Sequence, residues 1–200
     1  MYPVGDTVGS THFTPAVIYL APENGKIQTD VNLKKEKHPQ NNQSSNYINR
    51  YWNVKATSNT FNNSYKANAT FYYHADDAFG NESLMFTSGY ASLNWYVYLQ
   101  ADKDNKTLSL TGETNLNKAF TGGDNFSPMA SSPNNYFRSK QNGNWQNVNS
   151  WQSSFNKTHW NDATLSPTQE SKGIHIQTAH TINVNTPVFL DQTEVNGTLQ

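Results

Sequence analysis

The 200-residue chain contains no cysteine. A disulfide-stapled scaffold, thiolate zinc sites and a cysteine nucleophile are therefore excluded. Charge is scarce too: Asp, Glu, Lys and Arg make up 14% of residues, and the formal net charge is -1. Soluble domains usually carry about 25%. This balance excludes a basic nucleic-acid clamp and gives no electrostatic reason to bind anionic membranes. No apolar run approaches the roughly eighteen residues of a spanning helix, so no membrane insertion is expected. The opening Met1-Tyr2-Pro3-Val4-Gly5 lacks the basic and then apolar stretches of a signal peptide. There is no G-x-S-x-G elbow, P-loop, dinucleotide fingerprint or H-E-x-x-H pair. The reading is therefore non-enzymatic, with no cofactor.

Aromatic residues are plentiful, at 13%, with 11 Tyr, 10 Phe and 5 Trp. Disordered chains have few aromatics and high net charge, so this chain folds. Asn, Ser and Thr supply polarity without charge. An all-β protein is expected, with one solvated face per strand, an aromatic core and Asn-rich turns.

Polar and apolar residues alternate in short runs, which is the strand period. Residues 14–20 (TPAVIYL) and 26–33 (KIQTDVNL) read as a hairpin around Pro22-Glu23-Asn24-Gly25. Residues 34–45 (KKEKHPQNNQSS) have no period and read as a solvated loop. Strands follow at 47–57 and 66–74. Those at 92–101 and 107–111 form a second expected hairpin around Asp102-Lys103-Asp104-Asn105. This spacing suits a β-sandwich over residues 1–122. Residues 123–135, rich in Gly, Pro, Ser and Asn, read as a linker.

From 136 to 200 the texture changes. Very short strands are expected at 173–177, 180–185, 188–191 and 193–199, with little connecting length. That pattern favours the entry of a β-solenoid over a second sandwich. So few rungs bury little, and further modules of a longer parent chain are expected beyond them.

Several motifs occur in an order that resembles a known module. They are Tyr2-Pro3-Val4-Gly5, Phe13-Thr14-Pro15-Ala16-Val17, Asn49-Arg50-Tyr51-Trp52-Asn53-Val54, Ala75-Asp76-Asp77 with Gly80-Asn81-Glu82, and Phe120-Thr121-Gly122-Gly123. Together they resemble the β-sandwich modules of large surface and secreted proteins that gliding-type (Bacteroidetes-type) bacteria export by the type IX route. Phe137-Arg138-Ser139-Lys140, Gly143-Asn144-Trp145, Ser150-Trp151-Gln152, Trp160 and His180-Thr181-Ile182-Asn183-Val184 resemble the solenoid-entry segment of the same proteins. The sorting module usual at their C terminus is not in this sequence. The resemblance implies an immunoglobulin-like sandwich, a secreted or cell-surface location, and a structural or adhesive role. It also leaves room for a glycan-binding accessory module of a polysaccharide-degrading system.

Candidate sites follow from residue chemistry. Trp145, Trp151 and Trp160 fall close together among Asn and Gln, and indole faces with amide neighbours suit sugar rings. The alternative is that these indoles fill the first solenoid layer, since Trp is usually well buried. A glycan platform requires at least two coplanar, exposed rings from these three, Tyr96 and Tyr98. Asp76, Asp77 and Glu82, with Asn81 nearby, are weak calcium candidates. Residues 102–113 end on Glu113 as an EF-hand loop would, but Lys106 and Thr107 occupy positions that need an oxygen ligand and a glycine. In Arg50-Tyr51-Trp52 the two rings should point to opposite faces, with Arg50 stacked on an aromatic or in a surface ion pair. The six histidines are scattered along the sequence. An enzyme using acids such as Asp76 and Asp77 would need two carboxyls facing one cleft. Sequons at Asn62, Asn68 and Asn156 reflect the high Asn, Ser and Thr content.

Overall fold

The computed structural model describes residues 1–6, 12–23, 25–42, 45–58 and 64–200. Asn24 of the first expected turn and Asn62 of the first sequon lie outside them. The described residues form β-strands with three single-turn 3-10 helices. None of their helices is long and apolar enough to cross a membrane. The chain divides into two compact units, Met1–Ser127 and Pro128–Gln200. This division falls inside the segment read as a linker. Phe126 packs on Trp95 of the first unit, at 4.7 Å between ring centroids. Ser131 instead bonds to Ser153 and Thr164 of the second.

The first unit contains β1 (Gly5–Asp6), β2 (His12–Phe13), β3 (Ala16–Pro22), β4 (Ile27–Lys34), β5 (Tyr47–Ile48) and β6 (Tyr51–Ser58). It continues with β7 (Tyr65–Tyr72), β8 (Ala78–Phe79), β9 (Phe86–Ala91), β10 (Asn94–Gln100), β11 (Thr107–Glu113) and β12 (Lys118–Gly123). All of its pairings are antiparallel. β11, β7 and β3 form one sheet; β10, β9, β12, β6 and β4 form a second, with β5 and β8 at its margin; β1 pairs with β2. Alternation sets which residues face inward: Ala67, Ala69 and Phe71 of β7 are buried while their neighbours are not. Phe71 lies 5.3 Å from Trp52 of β6 and 5.0 Å from Phe120 of β12, so the two large sheets share one aromatic core.

Neither expected hairpin forms a two-stranded ladder, although Asp102 and Thr107 bridge antiparallel across the second turn. β3 pairs with β7 and β4 with β6, so residues 14–20 and 26–33 lie in different sheets. β10 pairs with β9 and β11 with β7, so the Asp102 turn also passes between sheets. The two-residue hairpin joins β9 to β10 through Ser92 and Leu93, at φ 50° and 64°. Positive φ at both central residues matches the right-handed strand twist.

The 34–45 segment is not simply a solvated loop. His38 and Asn41 are buried, and the His38 ring touches Tyr51, Tyr90 and Trp95 at 4.9–5.1 Å. This cover explains why Tyr51 and Trp52, adjacent in one strand, are both buried. Arg50 is likewise not at the surface. It is fully buried, forks onto Asp77 at 2.8 and 3.1 Å, and pairs with Asp6 at 2.6 Å.

The second unit contains β13 (Tyr136–Ser139), β14 (Gly143–Asn144), β15 (Trp151–Ser154), β16 (Asn161–Asp162), β17 (Gly173–Ile176), β18 (Thr181–Asn183), β19 (Thr193–Val195) and β20 (Thr198–Leu199). Its five-stranded sheet runs β16-β15-β13-β17-β19, and its three-stranded sheet β14-β18-β20. The pairings β13–β17, β17–β19, β14–β18 and β18–β20 are parallel. Residues 188–191, expected as a strand, form none, and Phe189 there is 78% exposed. Phe137, Trp145, Trp151, Ile174, Ile176 and Ile182 make the core. Gly197 allows the last turn: a Cβ there would lie 2.3 Å from the His180 carbonyl oxygen.

Candidate functional site

The three second-unit tryptophans separate into two roles. Trp151 and Trp145 are 0% and 2% exposed, and their rings meet edge-to-face at 5.0 Å. Burial obliges each indole N–H to find a partner. Trp151 Nε1 donates to the Trp145 carbonyl at 2.8 Å, and Trp145 Nε1 to that of Pro167 at 3.1 Å. These two rings are core and present no face to a ligand. Trp145 and Trp151 therefore follow the core alternative and are corrected as ligand-binding candidates. Trp160 alone is half-buried.

Trp160 lines a cleft of about 290 Å³ with Tyr136, Lys157, Lys172, His175 and Glu194. Strand alternation builds one wall. In β13, Phe137 and Ser139 point inward, while Tyr136 and Arg138 are half-exposed. The Arg138 guanidinium lies 4.4 Å from the Trp160 ring centroid, and its Nε donates to Gln152 at 2.9 Å. Desolvation holds its pKa below the ordinary arginine value, and a guanidinium there keeps its charge. Lys157 Nζ stands 4.5 Å from the Tyr136 centroid and Lys172 Nζ 6.0 Å. The opposite lip is a turn in which the Asn156 carboxamide oxygen accepts from the N–H groups of Thr158 and His159, at 2.9 and 3.1 Å. It places Lys157 at φ 63°, and Trp160 Nε1 closes it by donating to the Lys157 carbonyl.

Chemically, the cleft offers two partly open aromatic rings with cations beside them. Aromatic faces take the apolar faces of pyranose rings, and Lys and Arg take carboxylate or sulfate groups. Of the residues that build it, only Trp160 stood out by composition. Tyr136, Lys157 and Lys172 carried no sequence signal beyond the outward position of Tyr136 in an alternating strand.

The other candidates are dispersed. Asp77 is buried on Arg50. Glu82 accepts from Lys106 at 2.7 and 2.9 Å and from the Tyr73 hydroxyl at 2.7 Å. Asp76 is exposed beside His12 and His74. The three acids therefore do not converge on one calcium ion, nor do Asp76 and Asp77 share a cleft. Tyr98 is half-buried against the core and donates its hydroxyl to Glu113, while Tyr96 lies 4.8 Å from Lys118 Nζ. Burial, and then Glu113, push the Tyr98 phenol well above its ordinary pKa. No family model matches this chain, and neither does any curated protein or solved structure.

Proposed function

We propose that the chain is a non-enzymatic, structural and adhesive segment of a bacterial cell-surface or secreted protein, and that it grips acidic glycan chains in the Tyr136–Trp160 cleft. In this reading the first unit is an immunoglobulin-like sandwich and the second the entry of a β-solenoid. The parallel registers β13–β17–β19 and β14–β18–β20 support the solenoid, since stacked rungs pair in parallel. The observation that carries the adhesive role is the cleft itself, where Lys157 and Lys172 flank the Tyr136 ring beside Trp160. One shallow site of this size grips weakly, and adhesion of useful strength comes from many copies on one surface.

The test is an array of neutral, uronic-acid-bearing and sulfated glycans probed with the whole chain. Retention on the acidic glycans is expected, with loss in Trp160→Ala and Tyr136→Ala and weakening in Lys172→Glu. Retention that ignores all three substitutions, or no retention at all, rejects the cleft as the adhesive site. The same cleft also favours a second reading, an accessory module that holds a degradative enzyme on its polysaccharide. That reading expects the chain to speed a linked hydrolase on insoluble substrate and leave soluble substrate unaffected.

A further inference from the structure

We infer that His12, His74 and Asp76 of the first unit form a binding site for a divalent transition metal of the zinc class. The three residues come from two separate stretches of chain. His12 lies in β2, its side chain 8% exposed. His74 and Asp76 belong to the single 3-10 turn Ala75–Asp77 and its cap, with side chains 47% and 73% exposed. The two imidazoles are stacked, with centroids 3.9 Å apart and planes 13° from parallel. A nitrogen of each lies near one carboxylate oxygen: His12 Nε2 is 3.9 Å and His74 Nδ1 3.4 Å from Asp76 Oδ2. All three donor atoms lie within 4.8 Å of one another.

Donors around a tetrahedral zinc, at about 2.0–2.1 Å from the ion, stand about 3.3 Å apart. The His74–Asp76 pair already has that separation. Closing on an ion requires the stacked His74 ring to turn until its lone pair converges with that of His12. Its exposure permits the turn, and the hydrogen bond it gives up, from Asp76 N at 3.3 Å, is a long one. His12 is the fixed post and the other two are the jaws.

One buried guanidinium organises both halves of the frame behind these ligands. Arg50 forks onto Asp77, whose carboxylate accepts the His74 backbone N–H at 2.9 Å and so fixes the 3-10 turn. Arg50 also holds Asp6, the residue directly across the β1–β2 ladder from His12. Such outer partners orient ligands and raise affinity. Two imidazole nitrogens with one carboxylate suit Zn²⁺, Cu²⁺ or Ni²⁺, whereas calcium takes six or more oxygens. A fourth position is left for water.

The probe is ZnCl₂ titrated calorimetrically into the whole chain in a non-coordinating buffer, with CaCl₂ as control. One saturable zinc site is expected, silent to calcium, and zinc raises the unfolding midpoint of the first unit as mass action requires. His74→Ala and Asp76→Asn alter exposed side chains and keep the fold; each weakens zinc binding by about tenfold or more. The absence of saturable zinc binding overturns the inference. So does binding of undiminished affinity in the His74→Ala/Asp76→Asn double variant, which places the ion on other histidines.

Discussion

The two units solve the same problem, building a stable β-fold without cysteine, by different means. The first keeps charge inside. Arg50, Asp77 and Lys118 are all buried, and each is paired: Arg50 with Asp77 and Asp6, Lys118 with Glu113 at 3.2 Å. The second buries Trp, Ile and Phe together with small hydroxyls, Ser139, Ser150, Ser153 and Ser154. Its one ion pair among the described residues, Lys140–Asp162, is exposed. A buried pair in good geometry ties strands from distant parts of the chain and is costly to break. The short strands of the second unit have no such ties among the described residues and are held by the packing of Phe137, Trp145, Trp151, Ile174, Ile176 and Ile182.

The largest effect should come from Arg50. Arg50→Met leaves Asp77 and Asp6 without their shared partner, which costs about 3–5 kcal/mol for a buried pair. Hydrogen exchange read segment by segment should show protection falling across β1, β2, β5 and β6 while β13–β20 keep theirs. Equal loss in both units would show that they unfold together and would end the contrast. Trp151→Phe is the matched probe of the second unit. It keeps most of the ring volume but removes the N–H that the Trp145 carbonyl accepts, so a loss of about 1–3 kcal/mol is expected, confined to residues 128–200.

Acid should separate the units next. Burial holds the His38 imidazole below its ordinary pKa. Burial pushes Asp6 up, but the hydrogen bonds and charges of Arg50 and Lys35 outweigh it and the net shift is down. Glu113 behaves likewise: burial raises it, and the Tyr98 hydroxyl, the Asn115 N–H and Lys118 more than reverse this. In all three cases the unfolded chain binds protons more readily than the native one, so stability falls as pH falls. The first unit should weaken in two stages, below about 6.5 for His38 and below about 4 for the acids. In the second unit the acid that is depressed is Asp162, by its hydrogen bond from Lys140, and it is exposed. Denaturant midpoints measured from pH 8 to pH 3 should therefore fall for the first unit well before the second. His38→Phe should remove the upper stage alone; if that stage persists, the burial of His38 is not its source.

How much of this was legible in the sequence depends on the range of the interaction. Alternation is local, so strands such as Ile27–Lys34 and Tyr65–Tyr72 could be located within a residue or two. Pairing is not local. β3 and β4 alternate and flank turn residues as hairpin partners do, yet each pairs elsewhere, because both sheets need an inner face for the shared core. The true hairpin turn, Ser92-Leu93, was missed because neither residue favours positive φ. The polar run at 34–45 hid His38, whose burial depends on the aromatic face it covers. For the sites, Trp spacing singled out residues 145–160 but could not separate the buried Trp145 and Trp151 from the half-buried Trp160. His12 and His74 are sixty-two positions apart (74 − 12), and only the fold places them side by side.

The smallest effect on stability should come from the residue with the largest proposed effect on binding. Trp160 is half-buried, and its principal contacts are the Arg138 guanidinium and the Lys157 carbonyl. Removing an exposed cation–π contact costs about 0.5–1 kcal/mol. Trp160→Ala should therefore leave exchange protection at Ile174, Ile176 and Ile182 within that margin of the parent chain. Trp151→Phe, by contrast, should lower it and leave the cleft's chemistry in place. If Trp160→Ala instead collapses protection in β17 and β18, the ring is a structural member like its two neighbours. Loss of glycan retention in that variant would then report misfolding rather than a missing contact. Retention lost at full protection is the one result that divides the three tryptophans into two buried posts and one binding face.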